Sequence, residues 1–199
     1  MMTGVVLMTG TRVVLRDPRP EDVEAVIEWN RRGEHLRFDA PWERPPDPPT
    51  AEALDRLRAA FLERCRMDSP TPRGSALIAT PDGRPIGAVN RYVQRELQDA
   101  PFIGVSVKLD EFLNQGLGTE AFRLWLDYQF ERSEARRIGC ETWSFNPRAA
   151  RVAEKVGFKL EGVQREFREW DGRPLDKLLF GMLRREWEAR RDSTETGLR

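Results

Sequence analysis

The run Phe112-Leu113-Asn114-Gln115-Gly116-Leu117-Gly118-Thr119-Glu120-Ala121 has the residue types and spacing best suited to chemistry in this chain. A β-type run, Phe102 to Leu109, leads into it, and a helical pattern, Ala121 to Phe130, leads out. A glycine-bearing turn between a strand and a helix presents the first helical amides without partners, and the helix dipole adds positive potential there. Gly116 and Gly118 let an anion reach the backbone with no Cβ in the way. The expected ligand carries a phosphate or pyrophosphate. A nucleotide-hydrolysing phosphate loop requires Gly-Lys-Ser/Thr, whereas Thr119-Glu120 follows Gly118, so metal-assisted phosphoryl transfer is disfavoured. The spacing also satisfies G-x-G-x-x-A, a dinucleotide fingerprint for which Glu141 is the candidate acidic partner, but few parallel β-α units follow it.

A second motif separates these readings. Residues 146–162 run Asn146-Pro147-Arg148-Ala149-Ala150-Arg151-Val152-Ala153-Glu154-Lys155-Val156-Gly157-Phe158-Lys159-Leu160-Glu161-Gly162. Asn146 suits an N-cap, Pro147 the first helical position and Gly157 a left-handed stop. Together the two motifs resemble the GNAT superfamily of N-acetyltransferases, which carries a Q/R-x-x-G-x-G/A acetyl-CoA turn and, further on, an Asn-led helix ending in Gly-Phe. The branch acting on ribosomal-protein N-termini is most similar, through Gly118-Thr119-Glu120-Ala121, Glu154 to Phe158, Glu161-Gly162, and the end from Asp171-Gly172-Arg173-Pro174 to Trp187. The resemblance spans about Thr11 to Trp187.

That resemblance implies acetyl-CoA as cosubstrate and direct transfer of acetyl to a primary amine, either a protein N-terminal α-amine or a small-molecule amine. Such an amine arrives mostly as ammonium, with an ordinary pKa near ~8 for an α-amine, and must lose a proton. The developing oxyanion needs an N–H donor. The resemblance puts that donor on the backbone around Val107 to Leu109. It assigns pyrophosphate to the amides of Asn114, Gln115, Gly116, Leu117, Gly118 and Thr119, and the pantetheine arm to Asn146. Glu141, on the strand five residues before Asn146, is the implied general base, against the alternative of a strand glutamate paired with Arg136 or Arg137. Three positions depart from the pattern. Leu113 replaces the usual Gln or Arg, and Ala153 and Ala149 stand where relatives place a tyrosine or serine acid. Tyr92 and Trp42 are candidate acceptor contacts; His35, in the same region, reads as a surface residue.

These residues need a scaffold. Thr11–Arg16 alternates as a first strand, a helix opens at Pro20-Glu21-Asp22, and Pro41 to Pro49 excludes regular helix. Thr50 caps a helix with an apolar stripe at Leu54, Leu57 and Phe61. Strands follow at 73–80, 86–93 and 102–109, then helix 119–132, strand 137–145, helix 147–156, and strands 159–170 and 175–184. This order predicts an α/β three-layer α/β/α fold with a mixed, twisted central sheet. Residues 1–192 are expected to form one domain and 193–199 a disordered tail. Tyr128 reads as core, and Trp125, Trp143, Trp170 and Trp187 as core or dimer contact.

Composition narrows the function further. Lys and Arg total 33, as do Asp and Glu, so no global charge draws the 199-residue chain to nucleic acid. The single His35 and two cysteines, Cys65 and Cys140, offer no metal cluster or disulfide framework, so no metal is expected, and a reducing cytoplasm is the expected location. No apolar run reaches the ~18 residues of a membrane span. The resemblance implies a homodimer. Two rival readings are a catalytically weak acyl-CoA-binding module acting through protein interaction, motivated by Ala149 and Ala153, and a nucleotide-binding oxidoreductase resting on G-x-G-x-x-A alone.

Overall fold

A computed structural model describes residues 4–38, 40–43, 48–68, 70–93 and 100–196. Its eight strands are β1 (Val6–Thr9), β2 (Val14–Arg16), β3 (Ser75–Ala79), β4 (Pro85–Tyr92), β5 (Phe102–Val107), β6 (Arg137–Trp143), β7 (Lys159–Trp170) and β8 (Arg173–Leu183). They form one sheet in the order β1-β2-β3-β4-β5-β6-β8-β7. Every neighbouring pair is antiparallel except β5 and β6. The helices are α1 (Val23–Arg31), α2 (Ala51–Arg64), α3 (Leu117–Glu131), α4 (Pro147–Val156) and α5 (Arg184–Thr196). The expected α/β architecture with a mixed sheet is the one found. No helix among the described residues is long and apolar enough to cross a membrane.

The main core lies between the sheet and helices α3 and α4. Trp125, Phe130 and Ile138 are essentially inaccessible there, and Phe122 stacks on Phe158 at 5.4 Å. Burying such side chains stabilises the fold by about 1.5–3 kcal/mol each. Trp125 satisfies its indole N–H on the Asn90 carbonyl at 2.8 Å, and the Tyr128 hydroxyl accepts the Arg73 amide at 3.1 Å, so both act as packing residues, as expected. On the far side of the sheet, Ile27, Trp29, Leu54 and Phe61 of α1 and α2 are buried. A buried ion pair ties that layer on. Arg16 of β2 grips Asp22, at the start of α1, through two 2.7 Å bonds, and the Asp22 carboxylate also accepts the Arg19 amide at 2.7 Å.

Two elements differ from the sequence expectation. Thr11–Arg16, expected as one strand, holds the end of a turn and then β2; the turn, in which the Gly10 amide donates to the Val13 carbonyl at 2.9 Å, joins β2 to a preceding strand, β1, in a hairpin. The alternation that reads as strand thus includes turn residues. At the other end, α5 begins where β8 stops and runs to Thr196, into the stretch read as a tail. Its sequence is almost all charged or polar, with Trp187 and Ala189 the exceptions, so no apolar stripe announces it. Trp187 anchors it, stacking on Phe130 at 5.0 Å and donating to Asp127 at 2.7 Å.

Candidate functional site

β5 and β6 are held together at one register pair, Phe102 with Gly139, and then part. Gly139 is required there, since a Cβ would stand 2.7 Å from the Phe102 ring. On its other edge β5 remains bonded to β4, the Lys108 amide donating to the Ile86 carbonyl at 2.8 Å. Antiparallel alternation therefore turns the N–H and C=O groups of Val105 and Val107 toward the gap. A cleft of about 910 Å³ opens at this parting, lined by residues 103–107 of β5 and Lys108 after it, residues 140–143 of β6 and the first residues of α3 and α4.

At one end of the cleft α3 begins. Asn114 (φ 59°) and Gly116 (φ 81°) adopt left-handed backbone, turning the chain sharply into the helix. No side chain caps the helix, and its first internal bond is Glu120 N–H to Gly116 C=O at 3.1 Å. The amides of Leu117, Gly118 and Thr119 thus have no intrahelical partner, the arrangement that receives an anion. Val107, Asn114, Gly116, Leu117, Gly118, Thr119 and Asn146 all line the cleft. Gln115 and Leu109 lie outside the lining. The Gln115 side chain donates to the Glu111 carbonyl at 2.5 Å, and the Leu109 carbonyl accepts Phe112 N–H at 3.0 Å while its side chain packs on the core. Asn146 caps α4 by accepting the Ala149 amide at 3.2 Å.

At the other end stands Glu141, on the opposite face of β6 from the core residues Ile138 and Cys140. Lys177 of β8 lies 2.8 Å from its carboxylate, so the glutamate is ion-paired, but to neither arginine considered from sequence; Arg137 pairs with Glu161 instead. Tyr92 also lines the cleft, beside Glu141. Burial, reinforced by the Glu141 carboxylate, pushes the Tyr92 phenol well above its ordinary value, so it keeps its proton at neutral pH. Burial likewise raises the Cys140 thiol, which leaves it a poor nucleophile. Ala153, where relatives place an acid, is a core position on α4, 3% exposed.

An aromatic wall flanks this end. Trp42, in a 3₁₀ turn over Pro41–Glu43, packs edge-on against Trp143 at 4.6 Å and also meets Trp170 at 5.9 Å and Phe145 at 6.2 Å. Trp42 itself is behind the lining, and Trp143 presents the wall to the cleft. Trp143 is therefore a cleft residue rather than core, and Trp170 is an exposed residue of β7 that braces Trp42 from outside the lining. Residues 44–47 of the proline-rich run lie outside the described residues. His35 corrects the sequence reading: it is 7% exposed and lines the cleft, because Gly33 (φ 128°) folds the chain back against it. Beside it, Glu34 pairs with Arg148 of α4 at 2.8 Å while its amide donates to Asp110 at 2.8 Å, so this segment spans from α4 to the turn before α3. Sequence reasoning missed Glu34, Arg148 and Lys177, whose partners are remote in the chain. Among the described residues no group of three His, Cys, Asp or Glu side chains is placed to hold a metal.

Comparison with known proteins agrees with this geometry. The model of the acetyltransferase (GNAT) domain matches residues 12–159. A Bacillus subtilis (strain 168) protein, YdaF, provisionally named a ribosomal N-acetyltransferase, is 32% identical over 182 residues, covering 89% of this chain and 94% of its own. Among solved structures, a spermidine N-acetyltransferase from Vibrio cholerae, in complex with CoA and spermine, superposes with a TM-score of 0.70 at 19% identity, covering 89% of this chain and 99% of its own. The ribosomal L7/L12 α-N-protein acetyltransferase RimL, in complex with CoA, gives 0.67 at 16% identity, over 90% and 98%.

The turn before α3 yields a direct test. Gly116→Val places a branched side chain at φ 81°, with its Cβ 3.2 Å from Arg12 Nη2. Left-handed backbone costs a residue with a Cβ about 1–2 kcal/mol, which the turn can escape only by moving its amides. CoA affinity should fall about tenfold in calorimetry; unchanged affinity would place the phosphate site elsewhere.

Proposed function

Since the chain belongs to the GNAT family of acetyltransferases and is an acetyl-CoA-dependent N-acetyltransferase, we propose that it moves acetyl directly from acetyl-CoA to a primary amine within a ternary complex. We further propose that the amine is a protein N-terminal α-amine or a small-molecule amine. One observation carries this reading: a single cleft joins the unpaired amides of α3 to the Glu141 carboxylate across the parting of β5 and β6. Both substrates can then meet without either leaving the site.

In this reading the amides from Asn114 to Thr119 bind pyrophosphate, with Leu117, Gly118 and Thr119 supplying unpaired helical donors. Asn146 and the gap-facing groups of Val105 and Val107 guide the pantetheine arm. The Val107 amide faces the position where a thioester oxygen gains charge during attack. Glu141 attracts the incoming ammonium and takes its proton directly or through a water. Lys177 holds the carboxylate in place, and an arriving ammonium competes with it for the same oxygens. Tyr92, retaining its proton beside Glu141, contacts the acceptor and can return a proton to the departing thiolate. With Ala149 and Ala153 lacking any acidic proton, Tyr92 or water must do so.

The aromatic wall supports a peptide-like or ring-bearing acceptor, since Trp42, Trp143 and Trp170 supply apolar surface at low entropic cost. The name of YdaF points to a ribosomal acceptor and that of RimL to a protein α-amine, while the spermidine enzyme shares the fold and acts by name on a small polyamine. A homodimer is part of the same reading. Edge strand β7 leaves Leu160, Val163, Phe167 and Trp170 exposed, apolar surface at the end of the sheet that a second subunit would cover.

Glu141→Gln should preserve CoA binding while lowering turnover roughly 10²–10⁴-fold; near-normal rates between pH 6 and 9 would remove Glu141 from proton transfer. Replacing Trp42 by Ala should raise the KM of the acceptor with CoA affinity nearly unchanged, and an identical acceptor profile would move specificity to other residues. Light scattering at micromolar concentration should report a dimer, and a monomer would refute the assembly.

A further inference from the structure

A conflict of charge sits at the start of α3. The helix offers its unpaired amides and positive dipole end to the cleft, yet Glu120 stands in the same first turn. An isolated carboxylate there would repel a diphosphate. The β1–β2 hairpin resolves the conflict. The Arg12 amide donates to Glu120 Oε1 at 2.8 Å, and Arg12 Nε pairs with Oε2 at 3.1 Å. Glycine at the hairpin tip permits this approach, since a Cβ on Gly10 would stand 2.5 Å from the same carboxylate. Burial would raise the Glu120 carboxyl, but the hydrogen bonds from Arg12 outweigh it and hold the group below its ordinary value.

The same guanidinium also fixes a peptide plane. Arg12 Nη1 donates to the Gln115 carbonyl at 2.8 Å. In a trans peptide the carbonyl of one residue and the amide of the next point in opposite directions. With the Gln115 carbonyl turned to Arg12, the Gly116 N–H turns away from it. Gly116 lines the cleft and Arg12 does not, so that amide is directed to the cleft side. Leu113, where relatives carry Gln or Arg, contributes no polar group to this task.

We propose that Arg12 is a positioning residue for the diphosphate of acetyl-CoA: it neutralises Glu120 at the helix start and holds the Gln115–Gly116 peptide with its amide toward the cleft. It acts through the turn rather than by touching the phosphates. This rests on the reading that the turn binds the diphosphate, and the experiment separates the two. Steady-state kinetics are measured with acetyl-CoA and with S-acetylpantetheine, which lacks all phosphates, for the native enzyme, R12Q, E120Q and the R12Q/E120Q double variant. In the native enzyme acetyl-CoA should have the much lower KM; equal values for the two donors would refute the turn as the diphosphate site. R12Q should raise the acetyl-CoA KM about five- to tenfold, the range for a helix-terminal charge in a partly buried setting, while the S-acetylpantetheine KM and kcat stay put. The double variant should recover part of that loss, because the uncompensated carboxylate is gone. E120Q, which keeps Arg12, should lower the acetyl-CoA KM, and this arm stands even if R12Q fails to fold. An R12Q enzyme with an unchanged acetyl-CoA KM, an equal rise for both donors, no recovery in the double variant, or an unchanged or raised acetyl-CoA KM in E120Q would overturn the proposal.

Discussion

The parting of β5 from β6 is the constraint on which the rest of the site depends. One register pair, Phe102 with Gly139, holds the two parallel strands, and beyond it the inner edge of β5 has no strand to bond. Buried backbone groups without partners are costly, so a sheet opened in its middle is tenable only where water or a ligand satisfies that edge. The two β-α units make use of the opening. β5 feeds α3 and β6 feeds α4, so both helices start at the carboxyl ends of neighbouring parallel strands, the usual ligand position in open α/β sheets. An extended ligand laid in the gap meets the groups of Val105 and Val107 along its length and the unpaired amides of α3 at its anionic end.

Charge around the cleft is compensated locally. Arg12 offsets Glu120 at the start of α3, Arg148 offsets Glu34 beside α4, and Lys177 offsets Glu141 at the far end. Each pair links chain segments distant in sequence, so each also braces a wall of the cleft. The two part-exposed pairs, Arg12–Glu120 and Arg148–Glu34, add little stability, about 0–1 kcal/mol each; their value lies in orientation. The cations at the aromatic end extend the pattern. Arg168 lies over Trp42 at 4.9 Å, Arg148 over Phe38 at 4.8 Å, and Lys177 over Phe167 at 5.1 Å. These contacts stiffen the wall that the segment around Trp42 presents to the β7–β8 hairpin.

Local backbone chemistry was legible in the sequence. Gly116 marks the left-handed entry to α3, Asn146 and Pro147 begin α4, and Gly157 ends it at φ 102°. Such positions depend on a few neighbouring residues, and composition records them. Pairings over long distance left no local trace. The expected first strand, Thr11–Arg16, takes in the end of a turn that alternates like the strand after it and leaves out β1, whose run Val5-Val6-Leu7-Met8 does not alternate. Helix α5 is held by a single buried tryptophan in a charged sequence, without periodicity to reveal it. Glu141 could be singled out from its place before Asn146, but Lys177 could not, because only the register of β6 with β8 brings them together. His35 reads as a surface residue until the fold of Gly33 buries it against the cleft.

The most direct measurement of the central claim is an amide NMR titration of the ¹⁵N-labelled protein with CoA. If the cleft between the parted strands holds the cosubstrate, the largest shifts should fall on Val105 and Val107 of β5 and on Gly116, Leu117, Gly118 and Thr119 at the start of α3, with β1 and α5 nearly silent. Saturable binding that leaves those six amides unmoved, with its shifts grouped elsewhere, would contradict the account.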